Sequence, residues 1–201
     1  MSGDPAIEPA PPEWGVSSSP SLGRRTLRVL GELLQTALIA FLLFVVVNLI
    51  TARIRVEGIS MEPNLHDGEF VVVNRLAYRW GEPERGDVIV FHFPSDPRRR
   101  FIKRVVGLPG DTVTIRDGQV LINGSVLEEP YLDEEPRYHG EWRIAPNEVF
   151  VLGDNRNNSS DSQNWGPLDI NEIIGKAMLV YWPMDTIGLI PHYDLVIAAE
   201  Q

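Results

Sequence analysis

Phe101-Ile-Lys-Arg-Val-Val106, Gly107-Leu-Pro-Gly-Asp111, Thr112-Val-Thr-Ile-Arg116, Asp117-Gly118 and Gln119-Val-Leu-Ile122 follow one another without a break. Short β-branched runs alternate here with Gly, Pro and Asp, the pattern of strands joined by turns. Asp117-Gly118 is a dipeptide that tolerates positive φ at both positions, so it predicts a hairpin between the runs beside it. The alternation continues outward through Ile54-Arg-Val56, Phe70-Val-Val-Val-Asn74, Asp87-Val-Ile-Val-Phe-His-Phe93, Glu148-Val-Phe-Val-Leu152 and Ala177-Met-Leu-Val-Tyr-Trp182. Residues 53–201 therefore read as a mainly β domain, an all-β barrel or sandwich, without an internal repeat or a long amphipathic helix.

A different pattern precedes it. Leu30 to Ile50 is apolar, with Glu32, Gln35, Thr36 and Asn48 confined to its ends. About 20 helical residues cross a hydrocarbon core, so the segment predicts one transmembrane anchor. A cleavable signal peptide has a shorter core and a small-x-small site, which Leu49-Ile-Thr-Ala-Arg53 fits poorly. A buried helix of a soluble domain fits poorly as well, because the segment is apolar on all faces. Residues 1–22 are rich in Pro, Ser, Gly and acids, and read as a disordered tail. Arg24, Arg25 and Arg28 precede the span, while Arg53 and Arg55 follow it with Glu57 nearby. The positive-inside bias favours, by a narrow margin, a cytoplasmic N-terminus and a single pass in the cell membrane. The expected organisation is a tail over 1–29, an anchor over 30–50 and an extracytoplasmic β-rich domain over 53–201.

Composition excludes several functions. The net charge of −10 argues against a nucleic-acid partner, because phosphate binding needs a basic surface. The absence of Cys removes disulfides, thiolate metal sites and Cys nucleophiles. His66, His92, His139 and His192 are scattered without metal-ligand spacing, so no metal and no cofactor are expected. His66 beside Asp67 is a poor base for Ser60, since adjacent residues would have to bridge apart. Trp80, Trp165 and Trp182 suit either an interfacial rim or ordinary packing. Sixteen of the eighteen Lys and Arg residues are Arg, which singles out Lys103 and Lys176 as the side chains able to lose a proton when desolvated.

Three segments interrupt the strands with reactive residue types. Gly58-Ile-Ser60-Met-Glu-Pro63 sets a Ser in a tight turn, where a nucleophile can be exposed; an ordinary turn Ser is the plainer alternative. Lys103 alternates with Phe101 and Val105 on one face of its run, and burial there would lower its pKa towards that of a general base. A solvated lysine in a basic cluster is the simpler reading of that residue alone. Gly153-Asp-Asn-Arg-Asn-Asn-Ser-Ser-Asp-Ser162 is a polar loop suited to orienting other groups by hydrogen bonds.

Taken together, Ser60-Met-Glu-Pro-Asn-Leu65, Gly68-Glu-Phe-Val-Val-Val-Asn-Arg75, Pro83-Glu-Arg-Gly-Asp-Val-Ile-Val-Phe91, Phe101 to Asp111, Gly153-Asp-Asn-Arg156 and Ser159-Ser-Asp-Ser162 resemble the type I signal peptidases. These are membrane-bound Ser/Lys endopeptidases, and the resemblance covers residues 30–185. It implies a signal-peptidase-like β-barrel or sandwich behind one transmembrane helix, working on the signal peptides of exported preproteins at the lipid bilayer.

The resemblance makes Ser60 the nucleophile and Lys103 its general base, with Ser159 orienting the amine and the Ser60 N–H holding the oxyanion. Asp154 and Arg104 sit where the family forms a supporting ion pair. Asp161 matches another supporting carboxylate, but its usual Arg partner is Gln163 here, and Asn157 replaces an acid. Asp161 is then left to borrow Arg156 or to accept from Gln163. Gly58 stands where some members carry a second oxyanion hydroxyl. Met61, Leu65, Phe101 and Ile102 would line an inner substrate pocket, and Ile54, Val56, Val71 and Ile102 an outer one; each suits a core equally well. The substrate would add as a strand beside the residues leading to Ser60 and to Lys103. Two rivals fit less well. A self-cleaving SOS-repressor-type protease lacks a span, and a non-enzymatic tethered module has no need of Ser60, Lys103 and Ser159 together.

Overall fold

The computed structural model describes residues 22–193, 195 and 197. Of the disordered tail expected over 1–29, residues 1–21 lie outside them, and residues 22–29 are helical rather than disordered. Two units are distinguished, Met1–Val45 and Val46–Gln201.

The first unit is the greater part of helix α1 (Leu22–Ile50), which begins ahead of the apolar run at Leu30. At 1.5 Å per residue it is about 44 Å long. Most of its described apolar side chains are exposed, Leu30 at 61% and Phe41 at 60%, and Arg25–Ile50 is long and apolar enough to cross a membrane.

The second unit is mainly β. Its strands are β1 (Thr51–Arg55), β2 (Phe70–Asn74), β3 (Val88–Phe93), β4 (Asp96–Gly107), β5 (Thr112–Arg116), β6 (Gln119–Ile122), β7 (Ser125–Val126), β8 (Gly140–Arg143), β9 (Glu148–Leu152), β10 (Leu168–Asp169), β11 (Ile173–Trp182) and β12 (Gly188–Leu189). One sheet has the order β1-β2-β11-β3-β4-β9-β10 with β12 added to β11; the other is β7-β6-β5-β8. All pairings are antiparallel. Asp117 and Gly118 have φ of 51° and 77° and close the β5–β6 hairpin.

Strand alternation distributes the core. Val71 and Val73 of β2, Val88 and Val90 of β3 and Ile102 of β4 pack with Val56, Met61 and Leu65. Ile89, Phe91 and Val105 pack in a second cluster with Phe101, Trp165 and the β9 residues Val149 and Val151. Successive β4 residues thus serve opposite faces, as the pleat requires. Of the tryptophans considered for a rim, Trp165 lies against Phe91 and Phe93, whereas Trp80 and Trp182 are 81% and 49% exposed.

Among the strand edges that the main sheet leaves open are those of β1 and β4. β1 pairs only with β2 among the described residues. β4 pairs with β3 along its first half and meets β9 only from Arg104 onward, so its other edge is unpaired from Asp96 to Lys103 among the described residues. Four antiparallel steps separate β1 from β4, so the two strands run in the same direction, one towards Ser60 and the other towards Lys103.

Candidate active site

Ser60 follows β1 in a turn built by local hydrogen bonds. Gly58 has φ 83°, which a side chain disfavours, and its N–H donates to Asp67 Oδ1 at 2.8 Å. Val56 N–H donates to Glu69 O and Gly68 N–H to Val56 O, which closes the loop base over the buried Met61 and Leu65. The polar loop after β9 grips the same turn from outside: Asn155 N–H donates to Ser60 O at 3.1 Å, and Asn155 Nδ2 donates to Ile59 O at 3.2 Å. Gly153 permits this approach, because a Cβ there would fall 2.4 Å from Ser60 O and 2.2 Å from Ser159 Oγ. Asn155 and Gly153 fall in a segment that resembles the signal peptidases, but residue type does not reveal what either one does. Their contacts run some 95 residues along the chain, and an asparagine inside a polar loop carries no sign of its distant acceptor.

Lys103 enters from β4. It is 4% exposed, and its Nζ lies 2.7 Å from Ser60 Oγ and donates to Ile102 O at 2.8 Å. Phe101 lies beside it, with Nζ 5.4 Å from the ring centre. Burial lowers the Lys103 pKa to about 8, against the opposing pull of the Asp161 and Asp154 carboxylates. Among the described residues no imidazole hydrogen-bonds to Ser60, and the Ser60 N–H has no acceptor.

Arg104, next along β4, is fully buried and forms a bidentate pair with Asp154, Nε to Oδ1 at 2.9 Å and Nη2 to Oδ2 at 2.7 Å. Its Nη1 donates to Gly86 O at 2.9 Å and Pro191 O at 3.1 Å, and the guanidinium lies 4.3 Å and 5.2 Å from the rings of Tyr131 and Tyr193. Asn64 Nδ2 donates to Asp154 Oδ2 at 2.9 Å, so the Ser60 segment and the Asp154 loop share this anchor. Asp161 has no arginine partner among the described residues. It accepts from Gly153 N–H at 2.9 Å and Gln163 N–H at 3.3 Å, and burial raises its pKa against those bonds. Arg156 instead pairs with Glu129 at 2.6 Å, a partner 27 positions away that sequence spacing does not reveal. Asn157 accepts from Arg137 N–H and donates to Glu134 and Glu135 O. Ser159 Oγ is buried against Gly153 and makes no hydrogen bond to Lys103 among the described residues.

A cleft of about 560 Å³ opens over Ser60 and Lys103. Of the residues considered for substrate pockets, Ile54, Phe101 and Ile102 line it. Val56, Met61, Leu65 and Val71 are at most 1% exposed and belong to the core beneath. Among the described residues no three His, Asp or Glu side chains converge as a metal site would need.

A hydroxyl beside a buried amine of lowered pKa, under an open cleft, has the groups of a Ser/Lys hydrolase. Comparison with known proteins narrows the class. Residues 30–182 match the family described as signal peptidase, peptidase S26. Probable signal peptidase I-2 of Synechocystis is 36% identical over 79% of this chain and 76% of its own. Signal peptidase I of Leptolyngbya laminosa is 43% identical over 64% of this chain and 68% of its own, and that of Bacillus caldolyticus 39% identical over 64% and 78%. The chain belongs to the signal peptidase family, peptidase S26, and is a serine endopeptidase.

Proposed function

We propose that the protein removes N-terminal signal peptides from exported preproteins, cutting after a small-x-small motif, with Ser60 as nucleophile and Lys103 as general base. The observation that carries this reading is the 2.7 Å approach of a buried Lys103 Nζ to Ser60 Oγ. The neutral amine takes the Ser60 hydroxyl proton as Oγ attacks the scissile carbonyl. The Ser60 N–H receives the oxyanion. The resulting ammonium gives its proton to the leaving amine, which departs with the mature protein. Water, activated by the same amine, then releases the signal peptide from the acyl-enzyme. Asp154, Arg104 and Asp161 hold the segments that carry the dyad. Ser159 would orient the amine by turning its hydroxyl, which lies beside the Asp161 carboxylate, towards Lys103. Ile54, Phe101 and Ile102 bound the space for substrate side chains, and Val56, Met61, Leu65 and Val71 give the pocket its floor.

The anchor is α1, a single pass with the N-terminus in the cytoplasm and residues 53–201 outside it. Arg24, Arg25 and Arg28 support that orientation. Cleavage of a preprotein by Ser60→Ala and Lys103→Ala variants tests the chemistry, and loss in both is expected. Parent-like cleavage by both would refute the dyad. Protease added outside spheroplasts tests the topology, and digestion of residues 53–201 is the expected result.

A further inference from the structure

The cleft is lined by five arginines, Arg53 and Arg55 from β1 and Arg98, Arg99 and Arg100 from β4, with Glu57 as its acid. Residues 53–201 carry 15 basic and 24 acidic side chains, so a third of the cations of an acidic domain gather around one opening. Arg98 pairs with Asp96 at 3.0 Å but remains 91% exposed, and Arg99 lies over the Phe101 ring at 5.1 Å. Arg53, Arg55, Arg99 and Arg100 have no carboxylate within ion-pair distance among the described residues. By contrast Arg85, Arg104 and Arg156 are each held by an acid.

The cluster has a definite place. Arg53 follows Ile50, the last residue of α1, by three positions, about 10 Å of extended chain. β1 and β4 both run from this arginine end towards Ser60 and Lys103, so a peptide lying between them passes the arginines on its way to the dyad. Upstream of its cleavage site a signal peptide is apolar and leaves the bilayer last. The arginine end of the cleft is therefore where the peptide would emerge from lipid.

We infer that Arg53, Arg55 and Arg98–Arg100 form a docking surface for anionic phospholipid headgroups, which seats the mouth of the cleft on the membrane. The inference rests on the proposed role of α1 as an anchor. Charges within a Debye length of the headgroups, about 8 Å at physiological salt, attract them, while the acidic remainder of the domain is repelled. The domain is thereby turned with its opening towards the bilayer.

Because the chain has no cysteine, one fluorophore can be placed by Ser95→Cys in the exposed turn between β3 and β4. Full-length protein is reconstituted in vesicles of phosphatidylcholine alone or with about one third phosphatidylglycerol, each carrying a headgroup-linked quencher. Quenching about twofold stronger in the anionic vesicles is expected, with the excess removed by about 0.5 M salt. The triple variant Arg98→Gln, Arg99→Gln, Arg100→Gln is expected to lose most of the excess. Equal quenching in both compositions overturns the proposal, as does an excess that the triple variant retains in full. If short peptides with Glu upstream of the cut are cleaved many-fold faster than their Gln counterparts in detergent while quenching ignores lipid charge, the arginines serve the peptide and the proposal fails. Failure to float with vesicles of either composition overturns the anchor itself, a result distinct from equal quenching in floating protein.

Discussion

The two lysines stand in one row of the main sheet: Lys176 of β11 is opposite Ile89 of β3, and Ile89 is opposite Lys103 of β4. Their surroundings differ in burial and in the partner each amine meets: Lys103 is 4% exposed and the Lys176 side chain 21%. Lys176 reaches Asp87 at 2.5 Å, and Asp87 also accepts from Tyr78 Oη at 2.7 Å and from Glu84 N–H at 3.1 Å. Lys103 meets a hydroxyl and a carbonyl, with its carboxylates held off: Asp154 is tied to Arg104, and Asp161 to backbone N–H groups. Burial of an amine without a contacting carboxylate favours its neutral form, as at Lys103. One lysine is thereby suited to accept a proton and the other to hold a strand in place.

The comparison breaks most sharply at Lys103. Lys103→Arg keeps the charge and removes the base, so preprotein cleavage should fall about 100- to 10,000-fold in a single-turnover assay. Next comes the support beneath it. Arg104→Gln leaves Asp154 buried without its cation and should cost about 3–5 kcal/mol in urea unfolding. Lys176→Ala removes an exchangeable part of the Asp87 cluster and should cost about 1–2 kcal/mol by the same measurement, while Lys176→Arg should leave cleavage within about twofold. The smallest effect sharpens the contrast electrostatically. In the parent, kcat/KM should rise with pH as Lys103 loses its proton near its pKa of about 8. The Asp161 carboxylate raises that pKa, so Asp161→Asn should lower it and move the acidic limb of the profile to lower pH. A limb that stays in place would show that Asp161 does not act on the amine by its charge.

Much of the fold can be read from the chain because its strands announce themselves locally. Phe70–Asn74, Thr112–Arg116, Gln119–Ile122 and Glu148–Leu152 are β-branched runs with polar ends, and the observed strands have the same limits. β8 escapes such a reading because Gly140-Glu-Trp-Arg143 is mostly polar and is extended only through pairing with β5. The apolar pattern starts β4 at Phe101, since Asp96 to Arg100 resembles a charged loop; pairing with β3 makes it the exposed half of a long strand. At the site, Ser60 and Lys103 are visible as a turn serine and one of two lysines, whereas Arg104, Asp154 and Asp161 stand out only through the resemblance of their segments to the signal peptidases. Contacts between distant segments do not: Glu129 with Arg156, Asn155 with Ser60, and Pro191 and Tyr193 with Arg104 depend on tertiary approach alone.

The unpaired edges of β1 and β4 give the cleft a further meaning. Exposed strand edges invite association with other chains, and this molecule presents two across one opening, with arginines along both. A peptide seated between them would supply a missing stave, joining β1-β2-β11-β3-β4 into a closed ring of strands. Hydrolysis of the acyl-enzyme would release that stave again. The enzyme would then alternate between an open and a closed barrel with each turnover, its substrate serving for a moment as part of its own fold.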